Sequence, residues 1–252
     1  MNGGKLLLHQ VGLEQRAFWR NPQSAFFTFA MPIGLLLIFG AISRHENVPD
    51  RPGVEALSLL VPGFLAFGVI AAAYGNLAGT IAMLRADGVL KRVRATPLQP
   101  GMYLAGQLGS TLAISLTIAG SSVVLGHLAF GVAPRSGGTL LLAGTLALGV
   151  VCFASLGLAI SAAIPTADAA GPVTTGTFVP VAIISGTFST NLVLPPWLDR
   201  IVGALPVKAF TDGLRASYDP TVHEIPTGDL LVLAVWAVVG VGMARRYFRW
   251  DP

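Results

Sequence analysis

Three properties of the sequence point to an all-α membrane protein with six transmembrane helices. First, only 11% of the 252 residues are charged and the mean hydropathy is +0.70, whereas a soluble domain carries roughly 25% charged residues. Second, charge-free runs recur along the chain: Asn21–Ser43, Ala56–Leu84, Ala95–Pro134, Ser136–Ala167, Ala169–Leu198 and Leu230–Ala244. All but the last exceed the ~20 residues that carry a helix across ~30 Å of hydrocarbon. The last is lengthened by Thr227, Gly228 and the snorkelling side chains of Arg245 and Arg246. Third, the basic residues are unevenly shared. Ten Lys and Arg lie before the first span, between spans two and three, and after span six, against six on the opposite side. The positive-inside rule then puts both termini and residues 85–97 in the cytoplasm. An even number of spans requires the same. The chain reads as a single transmembrane domain, 1–252, with no soluble domain. No signal peptide is expected, because Glu14, Arg16 and Arg20 precede the first apolar run.

The elements follow in order. Residues 5–20 read as an amphipathic helix lying on the membrane. At 100° per residue Leu7, Leu8, Val11, Phe18 and Trp19 share one arc, and Lys5, His9, Arg16 and Arg20 the adjoining one. Packing on a soluble partner is the alternative. Asn21-Pro22 breaks this helix, and span one follows at about 25–43. Arg44 to Glu55, with Pro49 and Pro52, is a short external connection. Span two covers about 57–84 and carries Pro62-Gly63, Tyr74, Asn76 and the pair Gly75 and Gly79, whose spacing permits another helix to approach closely. Span three is about 102–130. The tight turn Ala133 to Gly138 makes spans three and four, the latter about 139–163, antiparallel neighbours.

Span five, about 170–189, differs in composition. It holds Pro172, Pro180, Gly171, Gly176 and Gly186 with Thr174, Thr175, Thr177, Ser185 and Thr187. Proline frees backbone groups that need partners in lipid, so this span faces protein or a water-filled path, or simply packs through its hydroxyls. Residues 191–226 are too polar to span and too apolar for a free loop. They read as a re-entrant external segment of short helices dipping into the outer leaflet, with Trp197 at the interface. Span six, about 227–246, ends in Arg245, Arg246, Tyr247, Phe248, Arg249 and Trp250, a basic and aromatic anchor.

Several chemistries have no residues to carry them. Ionisable groups inside spans mark ion-coupled carriers, and none of the carboxylates falls mid-span. His9, His45, His127 and His223 are scattered and lack metal-ligand spacing. Cys152, the single cysteine, lies mid-span and cannot form an intramolecular disulfide. No Ser–base constellation can be assigned, and no G-x-x-x-x-G-K-[ST] loop is present. No catalytic residue, metal or cofactor is therefore expected, nor any nucleic-acid partner. A six-span bundle without an energy source suggests one that borrows energy from a partner.

That draws attention to residues 85–97, where Arg85, Lys91, Arg92 and Arg94 gather. Asp87 and Gly88 start a short helix with an apolar side of Val89, Leu90 and Val93, and Thr96-Pro97 stops it. On charge alone the segment is either a lipid anchor or a docking surface. Asp87-Gly-Val-Leu-Lys-Arg-Val-Arg-Ala-Thr-Pro-Leu98 resembles the cytoplasmic loop of permease subunits in type-2 ATP-binding-cassette exporters. There a Glu-x-Gly-Thr-Leu-Glu-x-Leu-x-x-Thr-Pro pattern forms the coupling helix that docks on the ATPase subunit. Residues 5–20 are similar to that family's connecting helix. Leu194-Pro-Pro-Trp-Leu198, Leu205-Pro206 and Asp212-Gly-Leu-Arg215 are similar to its re-entrant segment. The daunorubicin-resistance-like drug permeases are the nearest group. Ala86 and Lys91 stand where the pattern is acidic, and the stretch 186–191 lacks the proline often found there.

The resemblance implies a transmembrane exporter subunit, for an amphipathic drug, lipid or glycan, in a bacterial inner membrane. Its partners would be a separate P-loop ATPase, a second permease copy and membrane lipid. It implies ATPase coupling through Asp87, Gly88, Lys91, Arg92, Arg94, Thr96 and Pro97. The path, between spans two and five, would be lined by Tyr74, Asn76, Thr174, Thr175 and Thr177. An external gate would involve Pro195, Trp197, Asp212 and Arg215. A membrane scaffold that transports nothing, or an ion-coupled carrier, are the competing readings.

Overall fold

The computed structural model describes residues 3–44, 55–95, 100–189, 192, 194–222 and 224–248. The regular structure among them is helical, with no β-strand. Helix α1 (Gly3–Trp19) is followed by α2 (Pro22–Ile42), started by Asn21, whose side-chain oxygen accepts from the Ser24 N–H at 3.2 Å, with Pro22 at the first helical position. Next comes one continuous 31-residue helix, Ala56–Ala86, in three parts: α3 (Ala56–Ile70), a π-helical turn (Ala71–Asn76) and α4 (Leu77–Ala86). The short α5 (Val89–Arg94) precedes α6 (Pro100–Phe130), α7 (Gly138–Ser161), α8 (Ala170–Ile184), α9 (Pro196–Gly203), α10 (Pro206–Ala216) and α11 (Thr227–Tyr247). The connection expected at 44–55 lies almost wholly outside the described residues.

The α3–α4 helix is the hub. It is 89% buried within the chain over its most apolar window, with α2, α6, α7 and α10 packed around it. By contrast α2 and α11 bury only 22% and 17% of theirs. They leave Phe26, Met31, Ile38, Leu231 and Val238 exposed, as helices bathed in hydrocarbon do.

Among the described residues five helices are long and apolar enough to cross a membrane: α2, α3–α4, α6, α7 and α11. The segment expected to span at 170–189 is helical over only part of its length. Its helix, α8, has 15 residues, about 22 Å at 1.5 Å per residue, and does not bridge the hydrocarbon alone. It stops at Gly186 (φ 70°), where the Gly186 N–H donates to Ile183 O at 3.0 Å and the Thr187 N–H to Ala182 O at 3.1 Å. That is the paired hydrogen-bond closure of a glycine-terminated helix. The chain beyond it then runs against the first turns of α3, where Thr187 O faces Gly63 and Arg215 joins Leu59 O to Gly186 O.

Helix α1 also sits differently from a simple apolar-face anchor. Leu8 and Trp19 point outward, 73% and 53% exposed, while Gln10 and Phe18 are buried against α6. The seam is polar. Glu14 accepts from Gln10 at 2.7 Å and from Gln107 at 2.6 Å, and the Gln15 amide donates to Ser110 O at 2.8 Å. Burial pushes the Glu14 carboxyl above its ordinary range, against the lowering effect of its two amide donors.

Candidate functional site

Three places along the α3–α4 hub bring together the residues singled out by sequence. At the end of α4, the Asp87 and Gly88 N–H groups donate to Met83 O (2.9 Å) and Arg85 O (3.0 Å), closing the helix. Gly88 (φ 66°) then reverses the chain, a left-handed conformation that a side chain would strain. Helix α5 starts there. Its Leu90 is fully buried and Val93 packs on the main core, while Lys91 and Arg92 are exposed and the Arg92 guanidinium donates back to Asp87 O at 3.2 Å. Arg94 ends the helix by its backbone. Its side chain, with Thr96 and Pro97, lies outside the described residues.

Arg85 has a different place from the other basic residues of this segment. It is 7% exposed, and its guanidinium donates to the carbonyl of Ile164 in the α7–α8 turn. Burying a guanidinium is costly unless it is hydrogen-bonded, so this contact ties the end of α4 to the start of α8. Small residues continue the seam: Ala78, Ala82, Ile164 and Ala170 form one buried cluster. Gly79 contributes ordinary contact there, since a Cβ on it would lie 3.8 Å from Ala170.

Midway along the hub, the π turn holds Tyr74 and Asn76. Here the Leu77 N–H reaches back to Ala72 O, five residues earlier. The Tyr74 hydroxyl meets Thr177 Oγ1 at 2.8 Å. Thr177 Oγ1 also lies 2.8 Å from Val173 O and 3.0 Å from Thr174 O. Its one hydrogen is thus committed to its own helix, and Tyr74 is the donor between the two. Thr174 is buried, donating to Ala170 O at 2.8 Å. Thr175 is exposed on the other side of α8 and does not join the group. Beside Tyr74 and Thr177 an apolar cavity of ≈ 540 Å³ separates α8 from α7 and α11, with Phe178, Trp236 and Tyr247 on its walls.

Gly157 of α7 was not singled out by its sequence neighbourhood. A Cβ there would sit 2.9 Å from the carbonyl oxygens of both Ala73 and Tyr74. The bulged backbone of the π turn presses directly on α7 at this point.

At the far end of the hub, α10 is enclosed by α3, α7 and α11, with Phe210 and Leu214 fully buried. Arg215 gathers three segments. It donates to Leu59 O (3.1 Å) on α3, and to Gly186 O (2.8 Å) and Ser189 O (3.3 Å) after α8. Asp212 faces it at 3.7 Å and faces Lys208 at 3.7 Å, and Lys208 reaches Asp199 at 3.4 Å. Pro195 starts α9, and Trp197 is 64% exposed, apart from this cluster. The tryptophan at the junction of α9 and α10 is Trp236, whose indole donates to Ala204 O at 2.8 Å. Burial raises the Tyr218 hydroxyl to about 12. Arg135 caps the end of α10, its backbone N–H donating to Ser217 O at 3.0 Å and its side chain to Ala216 O at 3.2 Å.

Residues 11–218 match the ABC-2 type transporter family. The chain belongs to that family. It is the transmembrane permease subunit of an ATP-binding-cassette transporter, a subunit that is not itself catalytic and whose family works with an ATP-binding partner. Among curated proteins it is similar to the inner membrane transport permease YadH of Escherichia coli strain K12, 24% identical over 220 residues, covering 83% of this chain and 84% of the relative. The same figures hold for the YadH proteins of Escherichia coli O6:H1 and Shigella flexneri. Together with its long apolar helices, this makes the chain a multi-pass inner-membrane protein.

Proposed function

We propose that this permease is the membrane half of an exporter, driven by a separate ATPase that docks on α5, and that two copies enclose the path for an amphipathic cargo. In this reading both termini and α5 face the cytoplasm. The short α8 and the segment after it complete a sixth crossing, and α9–α10 form the re-entrant elbow on the outer side. Asp87 and Gly88 shape the docking helix, and Lys91, Arg92 and Arg94 supply its contacts. Thr96 and Pro97 end it. Tyr74, Asn76, Thr174 and Thr177 belong to the path wall or its support; Thr175, on the outward face of α8, is suited to the second copy. Asp212 and Arg215 hold the outer gate, while Pro195 and Trp197 form its rim.

The observation that carries this is how α5 is mounted. Leu90 roots it in the core while Lys91 and Arg92 are offered to solvent. Its other connections run to the path. A load on α5 passes to α4, and Arg85 carries α8 along through the Ile164 carbonyl. Between α4 and α3 lies the π turn, and such interruptions serve as hinges. The α3 end is meanwhile fixed by Arg215. ATP binding shifts this equilibrium only by its differential interaction with the two conformations, and α5 is where that difference enters.

Reconstitution of the chain with its cognate ATPase subunit tests the reading. ATP-dependent outward movement of an amphipathic dye is expected, and Lys91→Glu with Arg92→Glu should abolish both it and association with the ATPase. Unchanged association in the double variant, with no ATP-dependent movement by the native pair, refutes the coupling assignment.

A further inference from the structure

A second cavity, on the other side of α7 from the Tyr74 site, belongs to none of these roles. It measures ≈ 560 Å³ and opens between α6, α7 and α11, with Leu108, Leu112, Val150, Ala154 and Val241 on its walls and Arg245 at its mouth. The packing on either side explains why it is open. Helices α7 and α11 are drawn together where a Cβ on Gly240 would lie 2.3 Å from Ser155 Oγ. Helix α6 is drawn the other way, onto α1, where a Cβ on Gly106 would lie 2.3 Å from Gln10 and where Gln107 holds Glu14. A cleft is left between the two pairs.

Its chemistry is two-part. The walls are apolar, and the one wall hydroxyl, Ser155, already donates within the bundle to Cys152 O at 2.7 Å and Ala237 O at 3.3 Å. From Leu104 to Leu112 along α6 is about 12 Å, less than half of the ~30 Å hydrocarbon thickness. The cleft therefore serves a single leaflet. Arg245 at its mouth is exposed and has no ion-pair partner among the described residues. Arg246 is turned elsewhere, its guanidinium 5.8 Å from the Tyr247 ring centre. Lys91 and Arg92 are exposed at the same end of the bundle, so an anion is favoured there over a neutral or zwitterionic group.

We propose that this cleft binds one anionic phospholipid from the leaflet at the α5 end, an acyl chain lying along Leu108, Leu112 and Val150 and the headgroup phosphate accepting from Arg245. The site is structurally separate from the coupling helix and from the Tyr74 cavity, and it holds whichever way cargo moves.

Native mass spectrometry of the full chain in detergent, with phosphatidylglycerol or phosphatidylcholine added at equal concentration, tests the proposal. One tightly retained phosphatidylglycerol is expected, in preference to phosphatidylcholine. Arg245→Gln should weaken that retention about fivefold, the loss expected for one basic residue near a membrane surface, and leave phosphatidylcholine unaffected. Arg246→Gln should change neither by more than about twofold, and Leu112→Trp, which fills the cleft from an exposed position, should reduce both lipids. Equal retention of the two lipids by the native chain overturns the proposal. So does an equal effect of Arg245→Gln and Arg246→Gln, which marks diffuse surface charge, or full retention in Leu112→Trp. Thermal stabilisation by inorganic phosphate equal to that by phosphatidylglycerol would make the site one for a free anion, also against the proposal.

Discussion

Arg215 is the residue whose removal the structure prices most directly. Its side chain is 15% exposed and donates to carbonyls at 2.8, 3.1 and 3.3 Å on two separate segments. Hydrogen bonds from a charged donor contribute about 1.5–3 kcal/mol each when well formed. Counting the 2.8 Å bond fully and the two longer ones at about half, the guanidinium contributes about 4 kcal/mol. Ordering a long side chain costs about 1–2 kcal/mol of this. Arg215→Met keeps the apolar stem and deletes every donor, so it should destabilise the chain by about 3 kcal/mol. Arg215→Lys, with a point charge in place of a planar fork, should recover roughly half. Asp212→Asn removes two partly exposed ion pairs, to Arg215 and to Lys208, each at 3.7 Å, and should cost about 1 kcal/mol or less. The assay is reversible unfolding in mixed micelles with rising SDS fraction, followed by tryptophan fluorescence. A loss below about 1 kcal/mol for Arg215→Met, or one equal to that of Asp212→Asn, refutes the view that Arg215 fastens the elbow to α3.

Three further outcomes follow from the packing. Gly157→Ala forces a Cβ against two backbone carbonyls that cannot retract and should cost about 1–3 kcal/mol, whereas Gly79→Ala, with 3.8 Å available, should gain up to about 1 kcal/mol of helix propensity; the same SDS titration gives the order. Arg85→Met leaves the Ile164 carbonyl without its guanidinium donor and should destabilise by about 2 kcal/mol, with faster amide exchange at the start of α8 than at the start of α7. Glu14 is raised by burial, so as pH climbs above its ordinary value of 4.5 the unfolded chain loses its proton while the folded one keeps it. Stability then falls with rising pH and levels off above the folded-state value; Glu14→Gln should flatten this slope, and an unchanged slope assigns it to another group.

Much of the architecture was legible in the sequence because hydrocarbon imposes a simple rule. A run of ~20 uncharged residues is a span, and α2, α3–α4, α6 and α7 follow from it directly, while α11 also needs its flanking Thr227, Gly228, Arg245 and Arg246. The short helix α5 was legible too, since Asp87-Gly88 marks both the end of one helix and the left-handed start of the next. The grouping of the residues expected to line a path was legible only in part. Tyr74 and Thr177 do meet, but Thr175 faces away, a difference set by helical phase around Pro172 and Pro180. The end of α8 was not legible because Ser185 to Ser189 are as uncharged as the helix before them. Hydropathy does not register a helix closed by its own backbone at Gly186. The cluster around α10 was half legible: Asp212 and Arg215 face each other, yet Trp197 stands apart and Trp236, from α11, bonds the α9–α10 junction.

Composition and periodicity thus settled the class of molecule, its span-forming segments and the exposed basic helix, because transfer into lipid acts on each segment separately and is nearly additive along the chain. They were silent on the π turn, since Ala71–Asn76 differs from an ordinary helical turn by one added residue that no side chain announces. They were silent also on Gly157, on Arg85 reaching the Ile164 carbonyl, and on the cleft beneath Arg245. Each of those depends on how closely two helices distant in sequence approach one another. That distance is fixed by the whole bundle packing at once.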